Sequence, residues 1–197
     1  MGLLVRHLRV PFLEARAVMI LALDLSPRST GVCFAPADKM PDPFIKEFRD
    51  KGEGNDIAAS NCGKWIRDIC ARHSDGDLLV CVEGYVAGSR PDMIFDRDGQ
   101  LALHFATLAV CSCYGVRFES VATATLRKHF IGVPFIKPAE NERATGRELA
   151  KAAVLKRAKQ LGYLGADVHN DNLGDAAMVF DYAVSTFARR SASFRLT

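Results

Sequence analysis

Two apolar segments of strand length, each with a single acid near its end, constrain the fold of this chain more than any other feature. Residues 18–25 read VMILALDL and carry Asp24, and residues 78–85 read LLVCVEGY and carry Glu83. Continuous apolar runs of this length are typical of strands buried on both faces of a sheet, so helices must cover both sides. Acids at the ends of two such strands predict a site at the carboxyl edge of the sheet, where loops leave a crevice.

The other predicted elements surround these two strands. A tight turn after Asp24 leads into a second strand, and a third antiparallel strand follows; a fifth strand comes after the second helix. Thr123 is interpreted as the capping residue of the third helix. This order predicts an α/β fold in which helices flank one mixed five-stranded sheet. The added strands are expected over residues 30–36, 44–49 and 116–122, and the helices over 55–73, 93–113, 123–130, 148–161 and 172–189.

Length and composition fit one folded domain. The chain has 197 residues, of which 49% are hydrophobic, enough for one good core. Residues 1–18 are basic with short apolar pieces and lack the continuous apolar stretch of a signal peptide, so they are interpreted as a poorly ordered extension. We therefore expect a domain over residues 19–190 and a tail over 191–197.

Charge and cysteine content narrow the class of protein further. The net charge of +3 is compatible with a nucleic-acid partner and equally with an ordinary enzyme. The six cysteines form no CxxC pair, which argues against a zinc site and favours reduced thiols in a cytoplasmic protein. No apolar run approaches the roughly 20 residues that a membrane-spanning helix needs, so no membrane association is expected.

A third acidic element opens the last predicted helix. Asp171 and Asp175 are four residues apart and therefore lie on one helical face, and an apolar stripe beside them would place Asp175 next to the sheet. Carboxylates gathered at one point repel each other, and a pair of Mg²⁺ ions would relieve that repulsion and could clamp a phosphodiester during hydrolysis. Two simpler roles stay open, a turn cap for Asp24 and a helix cap for Asp171.

With these acids in place, the sequence resembles the RuvC-like Holliday junction resolvases, particularly the phage and prophage members, within the RNase H-like superfamily. Four pieces carry the resemblance in the family's order: LALDLSPRSTGV, LLVCVEGY, TATLRKHFIG followed by GRELAKAAVLKRAKQLG, and DNLGDAAMVFDYA. These pieces are spread over most of the range 19–188. The resemblance implies an RNase H-like fold and a homodimer that cuts four-way DNA junctions symmetrically, using two Mg²⁺ ions, with Mn²⁺ as a possible substitute.

The resemblance also implies roles for individual residues. Lys151 would match the lysine that reaches toward the scissile phosphate, and the acids would be both metal ligands and catalytic residues: Asp24, Glu83, Asp171 and Asp175. This chain departs from the family in three places. The family usually spaces the last two acids three apart, which makes Asn172 and His169 alternatives to Asp171; Ser26 replaces a usual glycine; and the stretch between residues 117 and 171 is longer.

A nucleic-acid surface is predicted around the acids. The homodimer that the resemblance implies would use residues 93–113 as its interface, although burial against the sheet explains their apolar content equally well. For Lys156, Arg157 and Lys159 a solvated helix face explains the charge equally well. The residues expected to contact branched DNA are Tyr85, Ser89, Arg90, Arg127, Lys128, Arg147 and Lys151.

Two other classes of function remain possible from the sequence. LDLSPRSTG is similar to the first phosphate-binding hairpin of actin-like and sugar-kinase-like ATPases, although the chain is short for two lobes and shows no second glycine-rich loop. A non-catalytic relative that binds branched DNA is the other. Among nucleases, flaps and RNA–DNA hybrids are alternative substrates.

Overall fold

A computed structural model of the chain describes residues 17–73, 77–84 and 94–188, with the backbone only for residues 94–97. Its centre is a five-stranded sheet with the spatial order β3-β2-β1-β4-β5. The strands are β1 Met19–Asp24, β2 Thr30–Pro36, β3 Phe44–Lys46, β4 Leu78–Gly84 and β5 Arg117–Ala122.

The sheet is mixed, as predicted. β1 pairs antiparallel with β2, which pairs antiparallel with β3, and β1 pairs parallel with β4, which pairs parallel with β5. The apolar runs that predicted buried strands are therefore the two central strands. The predicted third strand is too long: the backbone N–H of Phe48 donates to the carbonyl of Pro27 in the β1–β2 turn, which takes the chain out of the ladder after Lys46.

The helices are α1 Asn55–Arg72, α2 Ile94–Cys113, α3 Thr123–Ile131, α4 Gly146–Gln160 and α5 Asp171–Ala183, and a π-helical turn, Val184–Ala188, follows α5. None of these helices contains a stretch both long and apolar enough to cross a bilayer.

Helix caps differ from the prediction at three places. α4 begins two residues early because Thr145 and Glu148 form a reciprocal capping box. The N-cap of α3 is Ala122, so Thr123 lies inside the first turn. Asn170 caps α5 by accepting from the N–H of Asn172, so Asp171 is the first helical residue and its carboxylate is not needed as a cap.

Each face of the sheet has its own apolar core because side chains alternate along the strands. Ile20, Ala22 and their neighbours Leu79 and Cys81 on β4 pack with α3, α4 and α5. The intervening positions, such as Leu23, pack instead with α1 and α2. Five of the six cysteines are buried in these two cores, and all six are free thiols.

Candidate active site

Asp24 and Glu83 lie side by side at the end of the two central strands. β1 and β4 are parallel with Leu23 opposite Val82, so Asp24 and Glu83 are the next pair in register. Both continue the alternating row that begins with Ile20 on β1 and Leu79 on β4. Their side chains therefore belong to the sheet face covered by α3, α4 and α5.

The first turn of α5 is held against the sheet at this point. Gly31 on β2 is the register partner of Asp24, and a Cβ on Gly31 would lie 1.9 Å from the carbonyl oxygen of Asn172. Any other residue at position 31 would push α5 away. The missing side chain thus lets the start of α5, with Asp171 and Asp175, approach the end of β1.

The β1–β2 turn is fixed to α5 by side-chain hydrogen bonds. The amide nitrogen of Asn172 donates to the carbonyl of Ser29 at 2.6 Å and to its hydroxyl at 2.9 Å. Within the turn, buried Thr30 donates to the carbonyl of Ser26 at 2.6 Å and accepts from its N–H at 3.0 Å. Asn172, an alternative ligand in the sequence analysis, is engaged with the turn, and His169, the other alternative, is exposed to solvent.

α4 brings two cations to the acids. Lys151 Nζ lies 3.4 Å from Asp171 Oδ2, and the charges of Lys151 and Arg147, one turn apart, both lower the pKa of Asp24. Close packing of α4 on α5 makes this possible, since a Cβ on Gly174 would lie 3.4 Å from Leu155 Cα.

The carboxylates interact with each other strongly. Burial raises the pKa of Asp24 well above its usual range, and the charges of Glu83 and Asp175 raise it further. Asp175, whose exposed fraction is 6%, has its pKa raised to about 7, first by burial and then by Glu83, with Lys151 acting in the opposite direction. Carboxylates from β1, β4 and α5 thus meet in one place, although they are far apart in the chain.

α3 supplies two further contacts to the site. The hydroxyl of Thr123 donates to Glu83 Oε1 at 2.5 Å. The charge of Arg127, one turn later, lowers the pKa of Asp175, and Arg127 Nε is buried without a hydrogen-bond partner. In the sequence, Thr123 is interpreted as a helix cap, a role that does not predict its contact with Glu83. The one signal for that contact is the position of Thr123 at the end of the strand beside β4.

The carboxylate oxygens of these four acids are chemically suited to bind a hard divalent cation. Buried carboxylates that raise each other's pKa are the oxygen ligands that Mg²⁺ and Mn²⁺ prefer. Over residues 17–73, 77–84 and 94–188, however, no group of three or more histidine, cysteine, aspartate or glutamate side chains is arranged as a ready metal site. Two of the four acids have other partners, Glu83 with Thr123 and Asp171 with Lys151.

The predicted DNA contacts are only partly gathered around the acids. Arg127, Arg147 and Lys151 act on the acids electrostatically, as described, and Lys128 is exposed next to Arg127. Three predicted contacts lie outside the described residues: Tyr85, Ser89 and Arg90.

Solved structures with a similar fold include RuvC from Thermus thermophilus. It superposes with a TM-score of 0.56 at 13% sequence identity, over 88% of this chain and 96% of that chain. T. thermophilus RuvC in complex with Holliday junction substrate gives a TM-score of 0.55 at 15% identity, over the same shares of the two chains. The yeast mitochondrial Holliday junction resolvase Ydc2 gives 0.44 at 12% identity, over 91% and 85%.

No protein-family model and no curated protein sequence matches this chain significantly. The structural likeness to RuvC confirms the predicted fold: the chain has a RuvC-like, RNase H-like fold with a mixed five-stranded sheet flanked by helices.

Proposed function

We propose that this protein is a divalent-metal-dependent endonuclease that resolves four-way DNA junctions by hydrolysing phosphodiester bonds. The observation that carries the proposal is the convergence of Asp24, Glu83 and Asp175 from three separate elements, with Lys151 beside them. The structural likeness to RuvC, one of whose structures holds a Holliday junction substrate, supports the choice of DNA as substrate. Similarity of fold alone does not define an activity, so the acid cluster is the stronger support.

The acids are assigned as the ligands of the cation. Asp24, Glu83 and Asp175 would hold it from the sheet and α5, with Asp171 at the solvent side of the cluster. Asp171 is preferred to Asn172, whose amide is bonded to Ser29. When bound, divalent cations activate water and neutralise charge on the transferring phosphoryl group.

The cations of α3 and α4 would act on the substrate. Hydrolysis forms a bond from a water oxygen to phosphorus and breaks one bridging P–O bond, and negative charge grows on the phosphate oxygens. Lys151, whose Nζ lies 3.4 Å from Asp171 Oδ2, would offset this charge. Arg127, Lys128 and Arg147 would contact neighbouring phosphates without reading sequence.

A second copy of the chain is the proposed partner. A four-way junction has two-fold symmetry, so symmetric cutting needs two sites related by a two-fold axis. On α2, Phe105 is 57% exposed, and Leu108, three residues later on the same helical face, is also exposed. Residues 93–113 were predicted as the interface, and these two apolar side chains are where we expect the second copy to pack.

The test is cleavage of a synthetic four-way junction beside a linear duplex, a flap and an RNA–DNA hybrid, with and without Mg²⁺. We expect Mg²⁺-dependent cutting of the junction that Asp24→Asn lowers on the order of a thousandfold while junction binding survives. Asp68→Asn, which changes an exposed acid on α1, is the matched control and should cut like the wild type.

Other outcomes would contradict this proposal in distinct ways. Binding of junctions without cutting in any divalent cation would point to a non-catalytic relative. Hydrolysis of ATP in the absence of DNA would point to the ATPase reading. Preferred cutting of the flap or the hybrid would support metal-dependent phosphodiester hydrolysis but contradict the four-way junction as the substrate.

A further inference from the structure

Asn172 connects the first turn of α5 to the β1–β2 turn from a position between two of the acids. It follows Asp171 directly and stands three residues before Asp175 on the same helix. Its amide nitrogen donates to the carbonyl oxygen of Ser29 at 2.6 Å and to the Ser29 hydroxyl at 2.9 Å. Because Ser29 and Asn172 are 143 positions apart in the chain, this contact joins segments that only the tertiary structure brings together.

The backbone of Asn172 contacts the strand that follows the same turn. Its carbonyl oxygen lies 1.9 Å from the point that a Cβ on Gly31 would occupy, and the Cβ of Ala176 lies 3.2 Å from that point. Gly31 is the register partner of Asp24 on β1. The position of Asn172 relative to Asp24 is therefore set by its side chain and its backbone together.

The β1–β2 turn is itself held in place, so the amide of Asn172 bonds to a fixed point. The carbonyl of Pro27 in this turn accepts from the N–H of Phe48 at 3.0 Å. On α2, a Cβ on Gly99 would lie 2.5 Å from Pro27 Cγ, so helix and turn are in close contact. The turn thus contacts α2 as well as α5, and it positions α5 through groups that are not the acids.

An amide at position 172 suits this contact better than a carboxylate does. The asparagine side chain donates through its NH₂ group, whereas an ionised aspartate only accepts and would be repelled by the carbonyl of Ser29. The charge of Asp175 raises the pKa of Asp24, so these two acids oppose the approach of α5 to β1 when both are ionised. A neutral side chain holds α5 in place without adding to that repulsion.

We propose that Asn172 is a positioning residue, which holds the first turn of α5 at the distance from β1 at which Asp24 and Asp175 can bind the same cation. The inference rests on the proposed function and deepens it, because it assigns the geometry of the cation site to a residue that is not a ligand. The resembled family usually has an acid three residues before the last one, and this chain has the amide of Asn172 there instead.

The experiment measures Mn²⁺ binding to the full chain by calorimetry, and amide hydrogen exchange of the same variants in EDTA. We expect Asn172→Ala to weaken Mn²⁺ binding about tenfold, the range found when groups that orient metal ligands are removed. Without metal, exchange should become faster both in the first turn of α5 and in the β1–β2 turn. Asn172→Asp keeps the size of the side chain but loses the donor, and it should weaken Mn²⁺ binding at least as much.

Two further variants separate positioning from general stability. Asn61 on α1 donates to the carbonyl of Phe48 at 2.9 Å, which is the same kind of hydrogen bond at a place that does not involve α5. Asn61→Ala is therefore the matched control and should bind Mn²⁺ as the wild type does. Ser29→Ala removes one of the two acceptors of Asn172, and combining it with Asn172→Ala should add little to the loss that Asn172→Ala causes alone.

The remaining outcomes separate the inference from the proposed function. An unchanged Mn²⁺ affinity for Asn172→Ala, with a wild type that binds Mn²⁺, would refute positioning and leave the proposed function intact. Tighter Mn²⁺ binding by Asn172→Asp would show that position 172 is a ligand position. A wild type that cuts no branched DNA, but whose Mn²⁺ affinity falls in Asn172→Ala, would keep the inference and remove the proposed function. A wild type that binds no divalent cation would remove both.

Discussion

The two helical layers of this protein pack on opposite faces of the same strands. One layer contributes charged residues to the candidate active site, and the other exposes an apolar side chain to solvent. The layer of α3, α4 and α5 meets the sheet at the end where Asp24 and Glu83 lie, and it adds Asp175 and Lys151. The layer of α1 and α2 packs on apolar side chains throughout its core and exposes Phe105 to solvent. Successive side chains along a strand point to opposite faces of the sheet and therefore contact different helical layers. One layer can thus contain the candidate active site, and the other can contact a second copy of the chain.

The difference also shows how burial can serve two purposes. On the α1 and α2 side, burying apolar groups stabilises the fold by about 25 cal/mol per Å². On the other side, burying Asp175 beside Glu83 opposes folding at neutral pH, because a charged carboxylate loses its hydration. A buried carboxylate with such an energetic cost is typical of a functional site. A bound cation or substrate would reduce that cost.

The largest expected effect is on the pH dependence of stability without metal. Burial and the charge of Glu83 raise the pKa of Asp175 in the folded state from its usual 3.8 to about 7. Between these values the folded state binds more protons, so the contribution of Asp175 to stability is present at low pH and is lost as pH rises. In EDTA we expect the free energy of unfolding of the wild type to fall by a few kcal/mol relative to Asp175→Asn between pH 4 and pH 8.

Urea unfolding at several pH values measures this, with Asp68→Asn on the other helical layer as the control. Added Mg²⁺ should raise the stability of the wild type at pH 8 and leave Asp175→Asn nearly unchanged. Parallel pH profiles for wild type and Asp175→Asn would mean that Asp175 ionises normally in the folded chain.

The next effect concerns the α1 and α2 layer. Phe105→Glu places a charge in the proposed dimer interface, and we expect the dimer dissociation constant to rise about 30-fold or more, as for loss of a central aromatic anchor. Light scattering over a dilution series measures the mass. Metal-dependent stabilisation should be unchanged, because the acids lie on the other layer. A wild type that stays monomeric at high concentration and on the junction contradicts the dimer.

The smallest effect tests a positioning residue in the layer of α3, α4 and α5. Thr123→Val removes the hydroxyl that donates to Glu83, and we expect about tenfold weaker Mn²⁺ binding by calorimetry, the range found when partners of metal ligands are removed. Thr123→Ser should restore it, and the oligomeric mass should not change. Equal Mn²⁺ affinity for the valine variant would show that this hydrogen bond does not orient Glu83 for the cation.

Local patterns in the sequence were sufficient for some parts of the fold and not for others. β1 and β4 followed from two apolar runs of strand length, which are typical of strands buried on both faces of a sheet. The end of β3 did not follow, because it is set by a hydrogen bond from Phe48 to Pro27 in a distant turn. The cap of α5 did not follow either: Asp171 was open as a cap in the sequence, whereas the side chain of Asn170, one residue earlier, accepts the hydrogen bond from the N–H of Asn172.

The sequence by itself determined which residues enter the core strands and that each central strand ends in an acid, because these properties depend on neighbours along the chain. Tertiary structure decided the rest: that α5 approaches β1 through Gly31, that Thr123 contacts Glu83, and that burial beside Glu83 raises the pKa of Asp175. Desolvation and Coulomb interactions depend on distances in space between residues far apart in the chain, and no local pattern encodes those distances.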